Sequence, residues 1–258
     1  MSLALDDVGL IAWRSVRRTV RQPANVIAPL TFPILLLAIN SSGLRAATHI
    51  PGFPTDSFVS FFLPFAFIQG ALFAAMTAGT DLARDIDTGF LNRLALTPLR
   101  STGLLAGQLG GAMAQAFVQA LVYLGVGLAL GVRFASGLDG IVVLVMLALA
   151  IGAAWGAVGI WIALRTGSGE AVQSQFPILF FFIIISSMNL PRNLIEADWF
   201  RTAATINPVS YTIEGLRSLI IEGWDGQALA LGFGVAIVTV TIAMSLAAVE
   251  LRKQMART

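Results

Sequence analysis

The chain has no cysteine, one histidine and one lysine. Without cysteine there is no disulfide and no thiolate metal site. A single histidine, His49, rules out a His-Glu-x-x-His protease centre, and a lone histidine in a loop is read as solvated. A phosphate-binding Walker loop needs a lysine followed by Ser or Thr after a glycine run. The one lysine, Lys253, is followed by Gln254, so the chain does not bind ATP that way. Gly167-Ser168-Gly169 has the outline of a nucleophile loop but no base to serve it, and reads as a flexible turn. Charge is scarce as well. Charged residues make up 12% of 258, hydrophobic ones 57%, and the mean hydropathy is +0.82. A soluble domain of this size needs less apolar residue and a more charged surface. The composition is that of an integral membrane protein. The pI near 9.7 comes from a net charge of only +2. It reflects loop arginines that orient the chain, with no nucleic-acid partner implied.

What is present is a succession of apolar runs. Six are near the length needed to cross ~30 Å of hydrocarbon: about 26–43, 58–82, 104–132, 141–164, 171–189 and 227–249. The first contains Pro29 and Pro33, which predicts a bend. Ahead of it, residues 3–22 form an amphipathic segment. Arg14, Arg17, Arg18 and Arg21 repeat at i, i+3, i+4, i+7, with Trp13 mostly opposite, and Pro23 stops the pattern. A basic helix with Trp on its apolar side suits an interface with anionic lipid. The first 21 residues carry four arginines and no long apolar run, so no cleavable signal peptide is expected.

With the N-terminus inside, eleven Lys and Arg residues fall on cytoplasmic segments and five (Arg45, Arg133, Arg192, Arg201, Arg217) outside. The positive-inside rule then places both termini in the cytoplasm. The segment 84–100 is the longest polar break with an internal pattern. Thr88 or Asp87 can cap a short helix, Pro98 ends it, and Leu91, Leu94 and Ala95 fall on one face. It reads as a mechanical handle or as a surface-lying connector. In the outer connection 190–226, Asn207-Pro208 is a helix start and Gly223 a stop. Val209, Ile213, Leu216 and Ile220 form an apolar stripe, with Glu214, Arg217 and Glu222 elsewhere. This predicts a short amphipathic helix, 207–223, that dips into the outer leaflet. A seventh span is excluded, because Glu214 and Arg217 would lie near its centre.

The spans hold almost no ionisable group, and Asp81 is the nearest case. Ion-coupled carriers need carboxylates at mid-membrane, so a secondary transporter or cation channel is not expected. Spans two and five instead hold ten of the seventeen phenylalanines, with Met76, Gln69, Gln175 and Ser187 among them. Such a set gives adaptable contact to a bulky lipophilic ligand, and equally serves lipid contact and helix packing. Gly103, Gly107 and Gly111, then Gly152, Gly156 and Gly159, mark faces of close helix approach within or between subunits.

Together these features resemble the permease subunits of ABC-2 type exporters. The resemblance covers nearly the whole chain. It is carried by the basic N-terminal helix, the six spans, the Asp85-x-Asp87-Thr88-Gly89 loop leading to Thr97-Pro98, and Asn207-Pro208-Val209-Ser210-Tyr211. The family often places Glu before Gly-Thr in the loop; here the order is Asp-Thr-Gly. The resemblance implies an all-α integral membrane permease of the type V exporter fold, one transmembrane domain over 1–258. It implies that 84–100 is a coupling helix docking on a separate ATPase through Arg84, Asp85, Asp87, Thr88, Gly89, Phe90, Leu91, Arg93, Leu94 and Pro98. Segment 3–22 becomes a connecting helix. ATP and Mg belong to the partner ATPase dimer, a second permease copy completes the transporter, and this chain holds no cofactor or metal and catalyses nothing. The substrate path is then bordered by Phe61, Phe65, Gln69, Phe73, Met76, Gln175, Phe176, Phe180 and Ser187. Asn207, Pro208, Tyr211, Glu214 and Arg217 mark the outer re-entrant helix. The expected cargo is a hydrophobic or amphipathic drug, antibiotic or lipid leaving the cytoplasmic membrane. A polysaccharide or glycolipid permease of the same fold, and a membrane scaffold or immunity subunit, are the rival readings.

Overall fold

A computed structural model describes residues 24–89 and 101–255. Among these there are nine α-helices and no strand: α1 (Ala24–Gly43), α2 (Phe58–Asp87), α3 (Ser101–Ala129), α4 (Gly137–Thr166), α5 (Gly169–Ser174), α6 (Phe176–Ile184), α7 (Asp198–Ile206), α8 (Pro208–Arg217) and α9 (Gly226–Met255). The expected N-terminal helix, 3–22, lies outside the described residues.

The helix boundaries follow from side chains that take over backbone bonds. Ser57 starts α2 by accepting from the Ser60 amide. Ser168 starts α5 in the same way from Ala171. Gly167 closes α4 at φ +67, with its N–H on the Ala163 carbonyl. Pro33 lies inside α1 and cannot donate to the carbonyl four residues earlier, that of Pro29. The hydroxyl of buried Tyr123, from α3, donates to that carbonyl at 3.0 Å. A kink site in one helix is thus fastened by its neighbour.

Four helices are long and apolar enough to cross a membrane, from Phe58, Gly103, Gly137 and Gly226. They match the expected spans two, three, four and six. The other two expected spans are shorter apolar helices, over Pro29–Gly43 and Gly169–Ile184. The expected continuous span 171–189 is corrected. It breaks at Gln175 and ends at Ile184. Pro177 removes a donor from the middle of the run and biases Phe176 away from helical dihedrals. Beyond Ile184, Ser186 turns its hydroxyl back to the Ile183 carbonyl, at 2.6 Å, in place of a further turn.

The central helix is α2, apolar on every side and enclosed along nearly its full length. It packs most extensively on α4, which also touches α3 and α9. Glycines set these approaches. A Cβ on Gly152 or Gly156 would stand 2.3 or 2.7 Å from the Cβ of Ala116 or Ala112 on α3. One on Gly159 would stand 2.1 Å from the Ala75 carbonyl oxygen on α2. The small-residue faces of span four therefore pack within the chain.

The last outer connection carries more structure than expected. A helix, α7, precedes α8, and α8 runs into a π-helical turn, Ser218–Glu222, which Gly223 ends at φ +97. Carbonyls freed there are taken up from the α3–α4 connection: Ser136 Oγ donates to Leu219 O at 2.7 Å and the Ala135 amide to Ile220 O at 3.1 Å. The helix expected over 207–223 is present as α8 and the π-helical turn after it. Seven of its residues from Val209 to Arg217 are buried against α9, α2 and α4.

Gly159→Ala is expected to destabilise the purified protein by about 1–3 kcal/mol, because backbone cannot withdraw from the new methyl. Gly234→Ala, with nothing within 4 Å of the added carbon, is expected to be neutral or stabilising. Equal melting temperatures for the two variants would refute the α2–α4 backbone contact.

Candidate functional site

Three groups of residues come together. The first is the C-terminal end of α2. Arg84, Asp85 and Asp87 lie on its last turns, with Arg84 and Asp87 exposed and Asp85 buried. Thr88, expected to start the 84–100 helix, ends α2, its amide and hydroxyl both donating to the Arg84 carbonyl at 3.0 and 2.9 Å; the helix it was expected to start lies outside the described residues. Gly89 then turns at φ +68, with its N–H on Ile86 O. The helix continues past the expected 82 because Leu82, Ala83 and Asp85 still find cover. Phe90, Leu91, Arg93, Leu94 and Pro98 lie outside the described residues.

The second group is aromatic and lies where α1, α2 and α6 meet. Phe73 stands edge-on to Phe32 at 6.1 Å and tilted to Phe176 at 5.7 Å; Phe176 stacks on Phe180 at 5.7 Å. These rings, with Gln175, are half-buried, except Phe32, which is exposed. The other residues assigned to a path do not share that surface. Phe61, Phe65, Gln69, Met76 and Ser187 are buried. Gln69 is fully enclosed, and neither end of its amide has a hydrogen-bond partner. Such a group costs about 1–3 kcal/mol unless something meets it.

The third group is the outer face of α8 and what it holds. Asn207, Ser210, Glu214 and Arg217 recur at i, i+3, i+7, i+10, one polar stripe. Asn207 caps the helix by accepting from the Val209 amide at 2.9 Å, and its Nδ2 donates to Phe182 O. Ser210 Oγ accepts from the Ser187 amide at 3.1 Å. Glu214 pairs with Arg192, whose guanidinium lies 4.8 Å over the Tyr211 ring. Burial alone would lower the pKa of Arg192, but the Glu214 carboxylate and Tyr211 outweigh it and the pKa is raised. Arg217 is 5% exposed. It donates to Phe61 O from Nε at 3.3 Å and to Ser187 O and Met188 O from Nη2 at 3.0 and 3.2 Å. Its Cζ lies 3.7 Å over the Phe61 ring. The stripe therefore satisfies the backbone where α6 unwinds. The sequence pattern set Glu214 and Arg217 aside as the polar side of a leaflet helix; it held no sign that carbonyls from two distant segments converge on the arginine.

Two cavities flank α8. One of about 170 Å³ is apolar, between Trp155, Phe182, Pro208, Val209 and Val235. The other, about 400 Å³, is polar and lined by Arg192, Asn193, Glu214, Arg217, Glu222 and Asp225.

Long apolar helices around an enclosed centre, with polar groups gathered at one end, define a polytopic membrane protein. The chain belongs to the ABC-2 type transporter family, whose model matches residues 7–221. It is similar to a protein of Mycobacterium tuberculosis named as a probable doxorubicin resistance ABC transporter permease protein, DrrC. The two are 27% identical over 210 residues, 81% of this chain and 75% of the relative. It is also similar to a daunorubicin resistance ABC transporter permease protein, DrrB1, of Streptomyces coeruleorubidus. That pair is 25% identical over 244 residues, 91% of this chain and 83% of the relative. The chain is accordingly a membrane permease component of an ABC transporter, a class that works with an ATP-binding subunit.

Asn207→Ala is expected to cost about 1–2 kcal/mol from loss of the cap, plus the Phe182 carbonyl left without its donor. Asn207→Asp keeps the cap but not the amide donor, and is expected to fall between. Thermal unfolding in detergent measures both. An alanine variant as stable as the parent would contradict the dual role.

Proposed function

We propose that the chain is the permease of an ATP-driven exporter that moves a hydrophobic or amphipathic aromatic compound out of the cytoplasmic membrane. The observation that carries this reading is the family match over 7–221, with two relatives named for resistance to anthracycline drugs. The ring ladder Phe32–Phe73–Phe176–Phe180 supports it. It offers stacking area to a flat apolar cargo.

In this reading both termini are cytoplasmic and two permeases pair with two ATPase subunits. ATP closes the ATPase dimer, and the permease responds only through contacts that differ between the two states. Those contacts lie in 84–100. Leu91, Leu94 and Phe90 fill a cleft on the ATPase, while Arg84, Asp85, Asp87 and Arg93 set register. Gly89 gives the turn that presents them, at a φ that proline cannot adopt.

The test is drug accumulation in cells that express the chain with its ATP-binding subunit. Doxorubicin content is expected to fall several-fold relative to cells lacking either subunit; no difference would overturn the reading. Leu94→Asp and Gly89→Pro are each expected to reduce export at least about tenfold while the protein still inserts. Unchanged export in either would remove the docking assignment. Phe180→Ala and Phe73→Ala are expected to alter preference among a panel of aromatic drugs. A uniform loss across the panel would make these rings packing groups only.

A further inference from the structure

Arg217 is a buried cation that makes no ion pair among the described residues. Its acceptors are three backbone carbonyls from two segments far apart in the chain: Phe61 on α2, and Ser187 and Met188 just beyond α6. Carbonyl dipoles and a ring face replace water only in part, so a guanidinium so held keeps much of its desolvation cost. Nε and Nη2 make the three bonds; Nη1 makes none among the described residues. Arg217 also lines the polar cavity of about 400 Å³, together with Glu222 and Asp225. Asp225 is committed to the amides of Gln227 and Ala228, at 2.9 and 3.1 Å. Glu214 is committed to Arg192. Glu222, exposed, makes no hydrogen bond or ion pair among the described residues.

The guanidinium occupies the carbonyl cradle, and the cavity it lines also holds the carboxylate of Glu222. The cradle ties α8 to the outer end of α2 and to the unwound end of α6. Pairing with Glu222 would leave the carbonyls of Ser187 and Met188 without their donor and uncover the Phe61 ring. A residue with two discrete partner sets is the kind of bistable contact on which a small displacement acts.

We propose that Arg217 is a positioning residue of the export cycle, an outer latch that alternates between the cradle of Phe61, Ser187 and Met188 and the carboxylate of Glu222. In the cradle it holds the outer end shut. On Glu222 it releases the segment after α6, so that cargo lying against α2 and α6 can leave outward. The assignment rests on the export reading given above.

The test uses the complex with its ATP-binding subunit and two readouts. For export, Arg217→Met is expected to lower doxorubicin moved per ATP hydrolysed about tenfold, with Arg217→Lys restoring part of it. Glu222→Gln, on the exposed side, is expected to lower the same ratio several-fold with no change in melting temperature. For conformation, Ser186→Cys supplies the only thiol in a chain without cysteine. Its reaction with an impermeant maleimide is expected to be faster with ATP trapped on the complex than without, and fast in both states when Arg217→Met is added. Full export by Glu222→Gln, or labelling that ignores nucleotide, overturns the latch, even where Arg217→Met fails to assemble. If no form of the complex lowers drug content, the export reading fails instead, and the labelling still reports on the latch.

Discussion

Inside a bilayer a backbone carbonyl has no water to fall back on, so any stretch that leaves the helix must be met by other protein groups. The end of this protein around α8 is organised by that demand. The chain unwinds after Ile184 and, apart from a 3-10 turn at Arg192–Leu194, stays irregular until α7. It can do so because α8 brings a column of polar side chains to it. Asn207 takes Phe182 O, Ser210 takes the Ser187 amide, and Arg217 takes Ser187 O and Met188 O. This is why α8 is buried although its sequence is amphipathic. Its polar side faces unsatisfied backbone, and its apolar side faces α9 and α4.

The same logic explains the prolines. Each one inside a helix deletes a donor and frees a carbonyl one turn back. At Pro33 the loss is made good from outside the helix, by Tyr123 on Pro29 O. At Pro177 the helix stops and restarts, dividing α5 from α6. The two short apolar helices, over Pro29–Gly43 and Gly169–Ile184, carry proline near their middle or start, whereas Pro64 lies within α2 without interrupting it. Both flank the ring ladder, so the aromatic surface is walled by the least continuous helices while α2 behind it is unbroken.

These contrasts show what the sequence could disclose. The four long helices were legible because apolar runs of this length have one stable form in a membrane. Asn207-Pro208 and Gly223 were legible as caps, since their backbone roles are local. Pro177 marks a break inside an apolar run that is otherwise long enough to span. The end of α2 was misplaced because Arg84, Asp85 and Asp87 look like loop, yet Ala83 and Asp85 still have cover. The environment of Arg217 was not legible at all. Its acceptors lie 156, 30 and 29 positions away, and a carbonyl leaves no mark in the residue type that bears it. Exposed and cradled arginine are spelled alike.

The position of α2 connects the two ends of the molecule. It is 30 residues long, roughly 45 Å, and carries Asp87 at one end and Phe61 near the other. A rod transmits a push only if its neighbours cannot absorb it. Here Gly79 and Gly159 bring the α2 and α4 backbones so close that a Cβ on either glycine would strike the other helix's main chain, at 2.8 and 2.1 Å. Soft side-chain packing could damp a displacement by rotamer changes; main chain against main chain cannot. In the docking reading proposed above, a shift imposed beyond Gly89 is carried along α2 to the carbonyl and ring on which Arg217 rests. Spatial continuity alone would be a weak argument for coupling. It gains physical content because the far end is a contact with two alternative partner sets, whose balance a small movement of Phe61 is enough to tip.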